Sequence, residues 1–343
     1  MSASGAGTAA GSTEQRVLTA LLAMQRQSWE QGVAGHAALD LGLGELAVLL
    51  ADAAVTRQQP DGRLGDAGGE QGAVNGAAYG EAVRYAAQVT GDPRFASALD
   101  AQLRWLRVEA PRADDGTLFH LLGGREVWAD TVYMVVPLLA VTRHPELAVA
   151  QVRGHRDRLH DRRSGLYAAR WDSDQSRLTH PEHWGTGNGW VVAGISRALR
   201  LRADWPAGVR DELAGHAREV IDACLAYRGE DGLFPDVLDD PATFREANVA
   251  QMLGYATLTG VADGWLPSSY AVPGRDLVAA ADRRVDGRGL VTGVSGAPAF
   301  TAPGTSSEAQ AFHLMAHAAL RRLPAADAGA GRPGPAGPRT LPR

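Results

Sequence analysis

Trp184-Gly185-Thr186-Gly187-Asn188-Gly189-Trp190 runs into an apolar stretch, Trp190 to Leu201, with helical spacing. Five other stretches share this plan, a polar or acid-bearing turn followed by an apolar helical run. They are Ser28-Trp29-Glu30-Gln31-Gly32, Val74-Asn75-Gly76 on to Gly80-Glu81, Val127-Trp128-Ala129-Asp130-Thr131, Arg245-Glu246-Ala247-Asn248, and Gly304-Thr305-Ser306-Ser307-Glu308. Taking Trp29, Asn75, Asp130, Asn188, Glu246 and Glu308 as markers, the gaps are 46, 55, 58, 58 and 62 residues. A recurrence of this kind marks a repeat architecture. A single amphipathic helix pair cannot bury its apolar face, whereas a closed ring of pairs can. The expected fold is therefore all-α, an (α/α)6 barrel of six helical hairpins. Its inner helices start at the acid-bearing turns, so six helix N-termini point to one end, where their dipoles favour negative charge.

Outward from these turns, helical periodicity covers Arg16 to Met24, Gly32 to Leu43, Leu46 to Val55, Tyr79 to Val89, Phe95 to Val108, Thr131 to Val141, Glu146 to Leu159, Trp190 to Leu201, Arg210 to Tyr227, Val249 to Thr259 and Ser307 to Leu323. That is close to twelve helices in pairs. Strand signals are few and short. Turn residues cluster at Gln59-Pro60-Asp61-Gly62, Gly91-Asp92-Pro93, Asp114-Asp115-Gly116 and Glu230-Asp231-Gly232. Residues 1–13 are Ser/Gly/Ala/Thr-rich and residues 325–343 are Gly/Pro-rich, so both ends are expected to be disordered. No linker divides residues 14–324, which are expected to form one catalytic domain.

The 343 residues carry a net charge of −5, with 45% hydrophobic and 21% charged residues. This suits a soluble globular chain and gives no basic face for nucleic acid. All 34 basic residues are Arg, which excludes a Lys nucleophile or Schiff base. One cysteine, Cys224, excludes an intramolecular disulfide and a thiolate metal site. The N-terminus does not read as a signal peptide, and no apolar run is long enough to span a bilayer. The chain reads as cytoplasmic, with no membrane partner. Its oligomeric state is not legible. The histidines look scattered, with no metal-ligand spacing, and no cofactor fingerprint is present.

Asp130 is the leading candidate for chemistry. Trp128 and Tyr133 flank it, and aromatic faces beside a partly desolvated acid suit sugar stacking and proton transfer. An Asp at a helix start is also a favoured N-cap. In the Trp184–Trp190 string, three glycines allow close backbone approach to a ligand, and Asn188 can bond a sugar hydroxyl. Asn75, Arg112, His120, His183 and Thr186 join the expected substrate-binding set with Trp29, Trp128, Tyr133, Trp184 and Trp190. Glu246 and Glu308 open their helices and serve as substrate contacts or caps.

Pro111-Arg112, Gly116 and His120, then Trp128-Ala129-Asp130 with Tyr133-Met134 and Pro137, then the Trp184–Trp190 string and Glu246-Ala247-Asn248, together resemble glycoside hydrolase family 105. Those are the unsaturated rhamnogalacturonyl hydrolases, related to the family 88 unsaturated glucuronyl hydrolases. The resemblance runs from about Trp29 to about His317. It implies an (α/α)6 barrel without metal or cofactor. The implied substrate is an oligosaccharide ending in a 4,5-unsaturated uronic acid, and the implied reaction is hydration of C4=C5, with Asp130 as general acid and base. Three positions depart from the family pattern. Thr186 stands where Arg is common, Asn75 where a second acid is usual, and Ala169 where the Gly-Leu-Tyr-x-His string has His. His183, Arg170 and Arg112 are the candidates to compensate. Two further readings stay open. One is a saturated-glucuronide hydrolase pairing Asp130 with Glu30, Glu246 or Glu308, and the other is a non-catalytic carbohydrate-binding barrel.

Overall fold

The computed structural model describes residues 11–323, apart from residues 67, 203, 297 and 298. Among these lie twelve α-helices. They are α1 (Thr13–Met24), α2 (Ser28–Asp40), α3 (Gly44–Thr56), α4 (Gly80–Thr90), α5 (Pro93–Arg104), α6 (Thr131–Val141), α7 (Pro145–Leu159), α8 (Gly185–Leu201), α9 (Ala207–Leu225), α10 (Asn248–Ala262), α11 (Ala271–Asp282) and α12 (Ser307–Arg321). The even-numbered helices form an inner ring. Each contacts the next in order, and α12 returns to α2, so the ring closes. The tail expected over 325–343 and most of the segment expected over 1–13 lie outside the described residues. Ser12 is described and accepts a hydrogen bond from the Gln15 N–H as the N-cap of α1.

Burial separates the two rings. In α6 every residue but Val141 is buried, and in α10 burial is continuous from Asn248 to Gly260. A helix apolar on all faces belongs inside. The outer helix α9 buries only Leu213, His216, Ala217, Val220, Ile221 and Cys224, one stripe at helical spacing. The inner helices approach closely where glycine permits. A Cβ on Gly194 of α8 would lie 2.7 Å from the Tyr133 Cα of α6. Hairpin turns follow their local chemistry. Gly91 ends α4 in the left-handed region, and Asp92 then caps α5 ahead of Pro93.

Periodicity missed α11. Pro273 and Gly274 fall in its first turns and read as punctuation. Gly274 instead lets α11 close on α10, since a Cβ there would meet Leu258 Cδ2 at 2.8 Å. Among the described residues, seven short strands occupy the segments that lead into inner helices. β1 (Glu126–Trp128), β2 (Arg170–Asp172) and β3 (Arg177–His180) form an antiparallel sheet in which Trp128 faces Arg170. β4 (Phe234–Pro235) pairs with β5 (Arg245–Glu246), and β6 (Val294–Ser295) with β7 (Pro303–Gly304). No helix among the described residues is long and apolar enough to cross a membrane.

A buried ion cluster crosses the barrel toward the C-terminal ends of α2 and α8. Arg197, 1% exposed, donates to Glu81 at 2.6 and 3.0 Å, to Asp40 at 3.1 Å and to the Tyr255 hydroxyl at 3.2 Å. Arg200 adds a 2.6 Å bond to Asp40.

Candidate active site

At the N-terminal end of the inner ring lies a cavity of about 700 Å³. Trp29, Asn75, His120, Trp128, Asp130, Trp184, Trp190 and Glu308 line it, eight of the residues the sequence singled out. Five of the six repeated turns thus reach one space. The fifth turn, at Arg245–Asn248, does not, and Asp236 and Val237 line the cavity from the loop before it.

Asp130 stands at the N-cap position of α6, yet its side chain makes no capping bond. Only its backbone carbonyl serves the helix, accepting from Tyr133 at 3.1 Å and Met134 at 3.3 Å. The carboxyl is therefore left to the cavity. Burial raises its pKa to about 6, against the opposing pull of its own backbone N–H and of Arg170.

Beside it, the His120 ring stacks on Trp128 with centroids 4.3 Å apart, and the Arg170 guanidinium lies 3.7 Å from the Trp128 ring centroid. Two groups this close to one ring cannot share a face, so Trp128 is held between them. His120 Nδ1 bonds the buried Thr131 hydroxyl at 3.0 Å. Burial first, then Arg170, lowers its pKa to about 3, so the imidazole is neutral. Arg170 also lines the cavity, and no carboxylate among the described residues pairs with it.

Two more protonatable acids face this space. Glu308 is 2% exposed, and burial, with Glu30 and Asp130 adding repulsion, lifts its pKa to about 8. Asp236 is raised to about 6 by burial, with Trp184 pulling slightly the other way. Glu30, by contrast, is spent locally. It accepts from the Arg26 and Gln27 N–H groups at 2.6 and 2.7 Å and from the Ser307 hydroxyl at 2.7 Å. The Asn75 side-chain oxygen is buried at the cavity wall without a hydrogen-bond partner. Beneath the cavity, Trp190 packs on Tyr133 (centroids 4.7 Å apart) and Phe312 (5.3 Å), which fixes the indole.

Six residues expected to touch substrate lie elsewhere. Arg112 donates to the Leu106, Arg107 and Ala110 carbonyls and closes the chain after α5. Tyr133 lies under Trp190, with its hydroxyl 2.9 Å from His36 Nδ1. His183 bonds Asp239 at 2.7 Å. Thr186 is 1% exposed. Asn188 clamps the Tyr167 backbone, accepting from its N–H at 2.8 Å and donating to its carbonyl at 3.0 Å. Glu246 is wholly buried and accepts from the Val249 and Ser295 N–H groups at 2.7 and 3.0 Å. Asn188 and Glu246 are polar side chains near a helix start that serve the backbone, the commoner use of such residues.

Sequence reasoning missed Glu70, His180, Glu182, Asp236 and Phe300, all of which line the cavity. His180 and Glu182 arrive with the β2–β3 hairpin. Its signal was the Asp172-Ser173-Asp174-Gln175 turn between two short extended runs. Phe300 has φ of +55°, a strained conformation for an aromatic residue at the rim of a site.

A closed ring of six helical hairpins, with an acid-lined cavity at the N-termini of its inner helices, defines a barrel of the six-hairpin glycosidase type. The chain belongs to glycosyl hydrolase family 88, whose model matches residues 14–305. It is 27% identical over 200 residues to the unsaturated rhamnogalacturonyl hydrolase YesR of Bacillus subtilis (strain 168), an alignment covering 54% of this chain and 58% of that relative. The fold is shared with a possible GH105 member from Klebsiella pneumoniae (TM-score 0.78, 20% identity, 90% of this chain and 92% of that one). It is shared also with an unsaturated glucuronyl hydrolase specific for heparin (TM-score 0.68, 14% identity, 90% and 94%). The family resemblance and the barrel read from the sequence agree with these matches.

Proposed function

We propose that this protein hydrolyses oligosaccharides that end in a 4,5-unsaturated uronic acid, by hydrating the C4=C5 bond. The observation that carries the reading is the Asp130 carboxyl, uncapped, facing the cavity beside Trp128, with its pKa raised to about 6. Such a group holds a proton often enough to give one and loses it easily enough to take one back. In this reading Asp130 delivers its proton to C4, and the ring oxygen shares the positive charge left at C5. The Asp130 carboxylate then takes a proton from a water whose oxygen bonds to C5. The resulting hemiketal opens by breaking the C5–ring oxygen bond. C1 is left as a hemiacetal, which collapses and releases the next sugar. One water is consumed, and Asp130 ends as it began.

The substrate carboxylate needs a cation in a cavity whose other charged groups are mostly acids. Arg170 fills this role in our reading, since it lines the cavity, lacks an acidic partner and is braced on Trp128. It thereby replaces the cation that Thr186 cannot supply. Neutral Glu308 and Asn75 offer hydrogen bonds to sugar hydroxyls, and Trp29, Trp184 and Trp190 offer stacking faces.

The test is the ultraviolet absorbance of the conjugated C4=C5 bond in lyase-generated disaccharides. Wild type should abolish it and Asp130→Asn should not. Persistence of the band with wild type across pectin- and glycosaminoglycan-derived products would remove the proposal. Asp236 and Glu308 favour a second reading, because ordinary glycoside hydrolysis needs one protonated acid and one carboxylate, and near neutral pH Glu308 (about 8) would hold its proton while Asp236 (about 6) is mostly ionised. Release of sugar from saturated glucuronides, lost in Asp236→Asn, would select it.

A further inference from the structure

Where the outer helix α11 meets the inner helix α12, a second cluster of chemistry-bearing side chains lies away from the cavity. His313 and His317 lie four residues apart on α12 and so share one face, a ligand spacing that the sequence reading of scattered histidines passed over. At about 100° per residue they stand about 140° and 180° round the helix from Glu308, which faces the cavity. Asp282, the last residue of α11, reaches across to both. Its Oδ1 lies 2.8 Å from His317 Nε2 and 3.6 Å from His313 Nδ1. The two imidazole rings are 4.6 Å apart, and all three donor atoms fall within 4.8 Å of one another. We propose that Asp282, His313 and His317 bind one divalent transition-metal ion of the zinc, cobalt or nickel class, and that the ion clamps α11 to α12.

The donor set fits this class. Two imidazoles and a carboxylate suit borderline metals better than calcium or magnesium, which prefer all-oxygen shells. Ligands about 2.0–2.1 Å from a tetrahedral ion sit about 3.3 Å from one another. The observed separations bracket that value, so small rotations of His317 and Asp282 suffice. Water completes the shell, because the Asp282 and His317 side chains are 41% and 28% exposed.

The surrounding charges agree. In a chain with 34 basic residues, all Arg, the ion-pair partners of Asp282 among the described residues are the two histidines. The adjacent Arg283 turns away to the Ala279 and Asp231 carbonyls. Glu14 of α1 adds negative charge close enough to act on His313, while pairing with Arg321 at 2.6 Å. The site therefore attracts a cation. A neutral His–Asp–His hydrogen-bond relay would explain the 2.8 Å contact, but not the convergence of the third donor.

The experiment uses full-length protein without an affinity tag, freed of metal with a chelator and titrated with Co2+ and Zn2+. The expected result is one ion per chain, visible d–d absorption for Co2+, and a higher melting temperature with Zn2+. His317→Ala and Asp282→Asn should each weaken binding about tenfold or more. Asp282→Asn replaces a single atom on a half-exposed side chain, so it keeps the test open if His317→Ala does not fold. No stoichiometric binding by wild type, or equal affinity in wild type and a folded variant, would overturn the proposal.

Discussion

On the proposed mechanism Asp130 must carry its proton before the double bond can be attacked, and this fixes the sign of the pH dependence. With a folded-state pKa of about 6, the reactive form dominates below that pH and is lost above it. The ratio kcat/KM should therefore fall about tenfold per pH unit on the alkaline side of 6. A profile flat from pH 5 to 8 would rule out Asp130 as the acid. Asp130→Asn should lower kcat by about 10²–10⁴ with the fold intact by circular dichroism. Arg170 is the complementary case. If it holds the substrate carboxylate, Arg170→Gln should raise KM about 10- to 100-fold and leave kcat within a few-fold. A fall in kcat with unchanged KM would instead give Arg170 a role on Asp130. At this scale the sequence was half legible. Asp130, Trp128 and His120 could be found because acid and aromatics lie within a few residues of one another. Asn188 and Glu246 misled because a polar group at a helix start reads the same whether it faces a ligand or a backbone N–H.

The inner helices were legible as elements because they are long and apolar, and the turns between hairpins follow glycine and proline. The β2–β3 hairpin was missed because its only local mark is the turn after Asp172. It is a few residues of strand on each side, held by pairing to β1 over a long sequence separation. Yet it brings Arg170, His180 and Glu182 to the cavity. Glu246 shows how an element is held in place. Its two oxygens join the first turn of α10 to Ser295, so Glu246→Ala orphans two buried N–H groups. The expected loss is about 2–4 kcal/mol, measurable by urea denaturation. A loss below about 0.5 kcal/mol would mean these bonds are replaced by others.

Closure of the ring is a property of the whole molecule, and Arg197 sits where it is held. From α8, its guanidinium touches groups from α2, α4, α10 and α12 at once. Arg197→Leu would leave Asp40 and Glu81 facing each other in the interior, with only Arg200 to offset Asp40. Breaking a buried pair from one side costs about 3–5 kcal/mol, which urea denaturation would detect, and a neutral substitution would show that the cluster does not hold the ring. No local pattern announced this cluster, because its members are spread from residue 40 to residue 255. The repeat, by contrast, was visible at once, since six hairpins must each carry their own apolar face.

The most direct test of the central claim is proton NMR of the reaction in D2O. Hydration by Asp130 places solvent deuterium at C4 of the released keto sugar and removes the C4 vinyl signal, and Asp130→Asn leaves that signal in place. Release of the neighbouring sugar with the vinyl signal intact would show ordinary cleavage of the glycosidic bond and would contradict the account.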